Sequence, residues 1–561
     1  MTPEPAPIHR RDPAHVMRLK RLGSFHQCRL SFMRVLTRRM AADNWSFTRR
    51  TFDVDDRGVG HAVYTAQGPD RSYSLVAFAH DLPPEKRSDR VIADAWDATF
   101  ALFDGDPTPD DIQRLSRNVP VQEAGRISSS ELTLSRANRS VRLWSHVVEA
   151  LASGQQPDTD QIDAVGYLMR TTAVYGSGKF GAADRETIAD REELAVPFQA
   201  EMLTVYLIRT FVRDLVEHMA RVQGGADAVA LDPKIARSLG IGNSTGLGMA
   251  PFLVNHPVLF NNWIMAREEA VARVRAVETA TAEDRDIFAD VLARSKRSVD
   301  LWTSEHPAQI RKLDALRADM DALCRYVDQQ DPGALFPWDR IITWSESALS
   351  EEGQELVASL ILEPYPDLVD GLSCCMSDTN SDAFRIDGKM PVEEVKSLLQ
   401  AAFGWAFDLE WDAPRNCARA WYVSEEKLEP RLGERFEEPI SEYEQPLAPA
   451  RDATLAYQSL TEWQDDERIA EFLLKHPEHR HTVRRAQMSL VAPYGEIRDN
   501  TICQTVLPID MLRAKLSFFG ATHFDPRSDR WVRICMYAGA PYPEELTGDN
   551  ADRWVYPDIP G

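Results

Sequence analysis

Two short glycine-interrupted segments hold the densest chemistry-bearing residues of this chain. The first, Tyr175-Gly-Ser-Gly-Lys-Phe-Gly181, puts Ser177, Gly178 and Lys179 in one turn, with Arg170 just ahead and Asp184 and Arg185 close behind. The second, Gly240-Ile-Gly-Asn-Ser-Thr-Gly-Leu-Gly248, puts Asn243, Ser244 and Thr245 between glycines, and His256 follows Met249-Ala-Pro251. Glycine costs about 0.5–1 kcal/mol inside a helix relative to alanine, so such clusters mark breaks in regular structure where backbone amides are exposed. Amides beside Lys and Arg suit a phosphate or carboxylate, and a helix opening near Pro251 would add its positive end. The expected substrate-binding set is therefore Arg170, Ser177, Gly178, Asp184, Arg185, Asn243, Ser244 and Thr245. Lys179 and His256 are the expected catalytic groups, able to move a proton. Neither segment is a Walker loop, which needs Gly-Lys-Ser/Thr after a four-residue gap. The plainer alternative is packing: tight turns between helices, with the lysine solvated.

Other clusters carry less. Cys374-Cys375 could react only beside a base or cation, and buried, inert cysteines at a strand end are expected. Asp378-Thr-Asn-Ser-Asp382 begins like a calcium loop but has Ala383 where glycine must turn and Lys389 where a bidentate glutamate must bind. His476, His479 and His481 crowd together with Glu478. On one helix His476 and His479 share a face while His481 does not, so no metal ligand set is assigned. There is no G-x-G-x-x-G after a first strand, no P-loop and no Ser or Cys triad signature. Reaction type and cofactor therefore stay open.

Composition limits the function classes. The 561 residues hold 64 Lys and Arg against 87 Asp and Glu, a net charge of −23 that repels nucleic acid and anionic membranes. The stretch 9–39 is the exception, strongly basic, with enough apolar residues for an amphipathic helix. Its expected partner is the acidic body of the chain or of a second copy. Seven cysteines without a CxxC pair fit a reducing compartment. With no signal-like start and no long apolar run, a soluble, cytoplasmic protein is expected.

The elements that would position these residues follow from periodicity. Residues 45–54 and 59–80 alternate as strands of an antiparallel meander, followed by a helix at about Val91–Phe103. The centre reads as helical for some two hundred residues, and from Pro337 strands mix with short helices. Leu134–Trp144 and Leu292–Trp302 match at seven of eleven positions. If that match is a true repeat, Arg136/Arg139 and Arg294/Arg297 are equivalent. The expected fold class is α+β: a large central all-helical domain flanked by small, mostly antiparallel sheet modules at both ends, with room for internal duplication. The corresponding divisions are a basic arm (1–40), a sheet module (41–118), the helical core (119–335), an α+β module (336–433) and a C-terminal α+β module (434–561). The leading expectation is an intracellular enzyme that binds a small anionic metabolite at Gly-rich inter-helical turns, as a homodimer. The alternative is a non-catalytic assembly protein whose glycines serve helix packing.

Overall fold

Alternating apolar residues between Ser46 and Ala79 form three strands, as the sequence implies: β1 (Ser46–Val54), β2 (Gly60–Gln67) and β3 (Ser72–Ala79). The computed structural model describes residues 8–83, 95–122, 125–172, 188, 191–245, 257–304, 307–377, 387–411, 413, 422–424, 427–431, 448–497, 508–521, 523–525 and 532–556. The remaining strands are β4 (Ala98–Asp104), β5 (Glu131–Arg139), β6 (Tyr167–Thr172), β7 (Gly240–Thr245), β8 (Tyr422–Ser424), β9 (Lys427–Arg431), β10 (His523–Asp525) and β11 (Val532–Met536).

Nine of these strands form one sheet in the order β1-β2-β3-β4-β5-β6-β7-β11-β10, and β8 and β9 make a separate hairpin. This overturns the expected all-helical centre between two sheet modules. The strands β5, β6 and β7 lie inside the supposed helical core, and the C-terminal β10 and β11 join the same sheet. Conversely, Asp339–Trp344 and Leu368–Ser373, read as strands, lie in helical turns. The cause is local: short, fully buried strands run apolar on both faces and lose the alternation that distinguishes strand from helix. Val91–Phe103 fails the same way, since its described C-terminal half is β4, buried along nearly all its length. The apparent repeat fails too, because Leu134–Trp144 begins in β5 whereas Leu292–Trp302 lies almost wholly in the Ala282–Leu301 helix. Arg136 and Arg294 thus have no structural equivalence.

The chain divides into two compact units. The sheet unit comprises Ser31–Ser244, Phe519–Asp525 and Arg533–Gly561. Residues paired across neighbouring strands share a face, so two faces can be followed through the register. One face carries Leu75, Leu102 and Thr133 and is covered by the Gln199–Gly224 helix, whose Phe211 meets Tyr64 and Phe100 edge-on and whose Thr204 bonds Thr133 at 2.7 Å. The other face carries Val63, Val76, Phe78, Ala101 and Leu134, with Ile112, Leu115 and Val119 packed against it. Ile112 and Leu115 come from the Pro109–Ser116 helix, which starts where it does because Thr108 and Asp111 cap each other reciprocally. Arg209 pins the covering helix by donating to the carbonyls of Leu239 (2.7 Å), Ala540 (2.8 Å) and Arg237 (2.9 Å).

The helical unit comprises Met1–Leu30, Thr245–Phe518 and Pro526–Val532. Within it residues 9–30 of the basic stretch form only the short Pro13–Val16 and Leu19–Arg21 helices, whereas the rest of the stretch enters the amphipathic Phe32–Ala42 helix of the sheet unit, and several of its cations stand in buried pairs. Arg11 bonds Glu268 and Glu355, His26 Nε2 lies 2.7 Å from Glu363 Oε1, and Arg29 donates to Asp370 at 2.7 and 2.8 Å. That meets the expectation that this stretch pairs with acids of its own chain. A separate apolar core lies between the Val392–Phe403 helix, read correctly to the residue, and the Ala448–Leu460 and Arg480–Val491 helices.

Candidate functional site

Arg170 and Asn243 are the two expected site residues whose side chains are described, and both are buried. They lie on neighbouring parallel strands, since β6 and β7 pair with Arg170 opposite Gly242 and Thr171 opposite Asn243. Successive side chains alternate, so Arg170 shares its face with Asn138, whereas Asn243 shares the opposite face with Thr171 and donates to the Thr171 carbonyl at 3.3 Å. The two do not converge on one ligand.

Ser244 and Thr245 continue β7. Ser177, Gly178, Lys179, Asp184, Arg185 and His256 lie outside the described residues, as does Asp378–Asp382. The second glycine segment opens as strand β7, so no inter-helical turn stands at Gly240–Thr245, and β6 ends at Thr172, ahead of the first segment. Gly240 and Gly242 have packing roles. A Cβ on Gly240 would collide with the Met536 carbonyl oxygen, and one on Gly242 would stand 2.6 Å from the Tyr167 ring. Cys374 and Cys375, expected buried at a strand end, are instead exposed in the 3-10 turn Asp370–Met376, with their sulfurs 3.9 Å apart.

A different place in the sheet unit has the features of a ligand site. Between the Val63–Phe78–Leu134 face and the Pro109–Ser116 helix lies a cavity of about 230 Å³. Phe78, Ala101, Leu134, Leu115 and Val119 make it mainly apolar, and Thr99 and Gln122 contribute polar lining. Thr99 is 1% exposed and Gln122 4%, yet Thr99 Oγ1 and Gln122 Oε1 have no hydrogen-bond partner among the described residues. A buried polar atom left unpaired costs about 1–3 kcal/mol, and such atoms call for an explanation. Gln122 also holds φ at +50°, a region a side chain enters at a cost.

Charge at this site is uneven. Arg114 in the lining is neutralised by Asp111 (3.2 Å) and by Glu131. Arg117 also belongs to the lining and is exposed, and its guanidinium has no ion pair among the described residues. Beside Thr99 in the register stands Arg136, whose guanidinium stacks 4.4 Å over the Trp96 ring and whose pKa is lowered by burial. Sequence reading missed this site because residues 91–103 were taken as a helix, which scatters Thr99 and Ala101 onto different sides. The run Ala98-Thr-Phe-Ala-Leu-Phe103, rich in β-branched and aromatic residues, was the available strand signal.

Among the described residues one group of three His, Cys, Asp or Glu side chains has metal-ligand geometry: His476, Glu478 and His479. No helix among them is long and apolar enough to cross a membrane.

Compared with family models, curated proteins and solved structures, the chain matches none.

Proposed function

We propose that the sheet unit binds a small amphipathic acid in the cavity beneath the Pro109–Ser116 helix. The observation that carries this reading is the pair of unpartnered buried atoms, Thr99 Oγ1 and Gln122 Oε1, in the lining of one apolar cavity. In this arrangement an apolar body lies over Phe78 and Leu134. A hydroxyl or amide of the ligand meets Thr99 and Gln122, and its carboxylate meets the unneutralised Arg117 at the rim. Hydrophobic walls with a few placed polar groups are the usual make-up of a small-molecule site. At about 230 Å³ the space suits a small organic ligand. The reading keeps the anionic ligand expected from the sequence and moves it away from the glycine segments.

A second reading is favoured by the parallel β6–β7 pair, because ligands of mixed and parallel sheets often sit beyond the carboxyl ends of adjacent strands. In that reading Lys179 and His256 still act on an anionic metabolite. A thermal-shift and calorimetric screen of short aliphatic and aromatic carboxylates separates the two. Binding lost in Thr99→Val and Arg117→Ala but kept in Lys179→Ala and His256→Ala supports the cavity. The reverse pattern supports the strand ends and sinks the cavity reading.

A further inference from the structure

The turn between the Ile469–Lys475 and Arg480–Val491 helices gathers two imidazoles and a carboxylate. His476 ends the first helix, and Pro477 opens a single 3-10 turn through His479 that leads into the second. His476 Nδ1 lies 3.3 Å from Glu478 Oε1, and His479 Nε2 lies 4.0 Å from the same oxygen. One donor atom from each of the three residues falls within 4.8 Å of the others.

The rings are held before any ligand arrives. Phe472 stacks on His476 at 4.9 Å and on His479 at 5.8 Å, and Trp463 braces Phe472 edge-on at 5.5 Å. The two imidazoles lie 27° from parallel with centroids 6.1 Å apart. Fixed rings lower the ordering cost of binding. The neighbouring ammonium of Lys475 is engaged over the Trp463 ring at 4.5 Å. The exposed Glu478 carboxylate folds back toward both nitrogens, so the three donors already face one another.

We propose that His476, Glu478 and His479 form a binding site for a first-row divalent transition ion of the zinc class, with two nitrogens and one carboxylate oxygen as ligands and water in the open position. Tetrahedral coordination with bonds of about 2.0–2.1 Å sets ligand atoms about 3.4 Å apart. The 3.3 Å separation already matches that, and the 4.0 Å one is closed by rotating Glu478, the exposed member of the set. Ion binding replaces the 3.0 Å hydrogen bond between His479 Nε2 and Ser459 Oγ. Imidazole donors select zinc, nickel or copper over magnesium and calcium, which want oxygen. His481 is not a ligand: it lies in the following helix, and Arg480 Nε donates to its Nε2 at 3.2 Å.

The test is a Zn²⁺ titration of the chelator-stripped full chain against a chromophoric competitor, with Co²⁺ as an optical probe. One ion per chain is expected, with d–d bands and no thiolate charge-transfer band. His476→Ala and His479→Ala should weaken binding by about 100-fold, and Glu478→Gln by about 10-fold, in keeping with the loss of a ligand or its support; His481→Ala should leave it unchanged. Glu478 is 60% exposed, so Glu478→Gln decides the matter even if the histidine variants fail to fold. Absence of a bound ion, a thiolate band, or equal affinity in Glu478→Gln and the wild type overturns the proposal.

Discussion

Arg11 grips Glu268 with two parallel bonds, Nε to Oε2 at 2.7 Å and Nη2 to Oε1 at 2.9 Å, and both side chains are nearly out of water. The same guanidinium reaches Glu355 through Nη1 at 2.9 Å and Nη2 at 3.0 Å, so one cation from the N-terminal stretch joins two helices of its unit. Arg267 supplies a second cation to Glu268 at 2.8 Å. Removing one partner of a buried pair strands a charge, which costs about 3–5 kcal/mol. Arg11→Met should lower unfolding free energy by that amount in urea titration, and adding Glu268→Gln should restore part of it. A loss below about 1 kcal/mol would show that this cluster does not anchor the stretch.

Acid should weaken the two units over different pH windows. The Arg11 and Arg267 guanidiniums outweigh burial and hold Glu268 down at about 2, and the same cations lower Glu355. A depressed carboxylate stabilises above its ordinary value near 4.5 and loses that contribution as pH falls toward 2. His80 in the sheet unit is pushed down to about 4, first by burial and then by Arg139. Its unfolded form takes up a proton near 6.5 while the folded form resists, so stability falls between pH 6.5 and 4. Protection factors of β3 and β4 amides, which allow for the fall of intrinsic exchange with pH, should drop across that range in the wild type and much less in His80→Gln. Amides of the helices bearing Glu268 and Glu355 should respond mainly below pH 4.5. An unchanged slope in His80→Gln would remove His80 as the cause.

Thr99 and Thr133 allow a controlled comparison, because they sit on opposite faces of one sheet with opposite hydrogen-bond status. Thr133 Oγ1 pairs with Thr204 at 2.7 Å, whereas Thr99 Oγ1 has no partner among the described residues. Thr133→Val should cost about 1 kcal/mol, while Thr99→Val should be neutral or stabilising by up to about 1 kcal/mol. Equal losses in both would mean that the Thr99 hydroxyl is satisfied in solution, and the ligand reading would lose its main support.

What the sequence made legible follows burial. The β1–β3 meander has one strand partly open to solvent, and its turns Asp55–Gly58 and Gln67–Asp70 carry strong turn chemistry, so alternation and punctuation agreed. The Val392–Phe403 helix is amphipathic with a polar first turn, and its bounds were readable. By contrast β4, β5 and β6 are buried on both faces and lose the one-sided pattern, so they read like the Gln199–Gly224 helix, which was legible as a helix though buried through most of its length. Pairing of β11 with β7, some three hundred residues earlier, leaves no local trace. At the histidine turn, Pro477 bends the chain so that Glu478 and not His481 joins His476 and His479, which one-helix geometry could not anticipate.

Gly240 and Gly242 test the packing reading of the second glycine segment, and they should fail in different ways. A Cβ at Gly240 meets the Met536 carbonyl oxygen and, at 2.8 Å, the Ala538 nitrogen, both backbone atoms. Neither can withdraw without moving the adjoining strand, so Gly240→Ala should cost several kcal/mol with no rescuing partner. At Gly242 the obstacle is the Tyr167 ring at 2.6–2.7 Å, a side chain that a second substitution can change. Gly242→Ala should therefore couple to Tyr167→Leu by about 1–3 kcal/mol in a double-mutant cycle, the pair costing less than the sum of its parts. Gly240→Ala, whose obstacles are backbone atoms, should be relieved by Tyr167→Leu much less than Gly242→Ala is, although Tyr167 stands opposite Gly240 in the register. Additivity in both cycles would show that the glycines are not there to admit these neighbours, and the ligand-facing reading of Gly240–Gly248 would regain the ground it lost to packing.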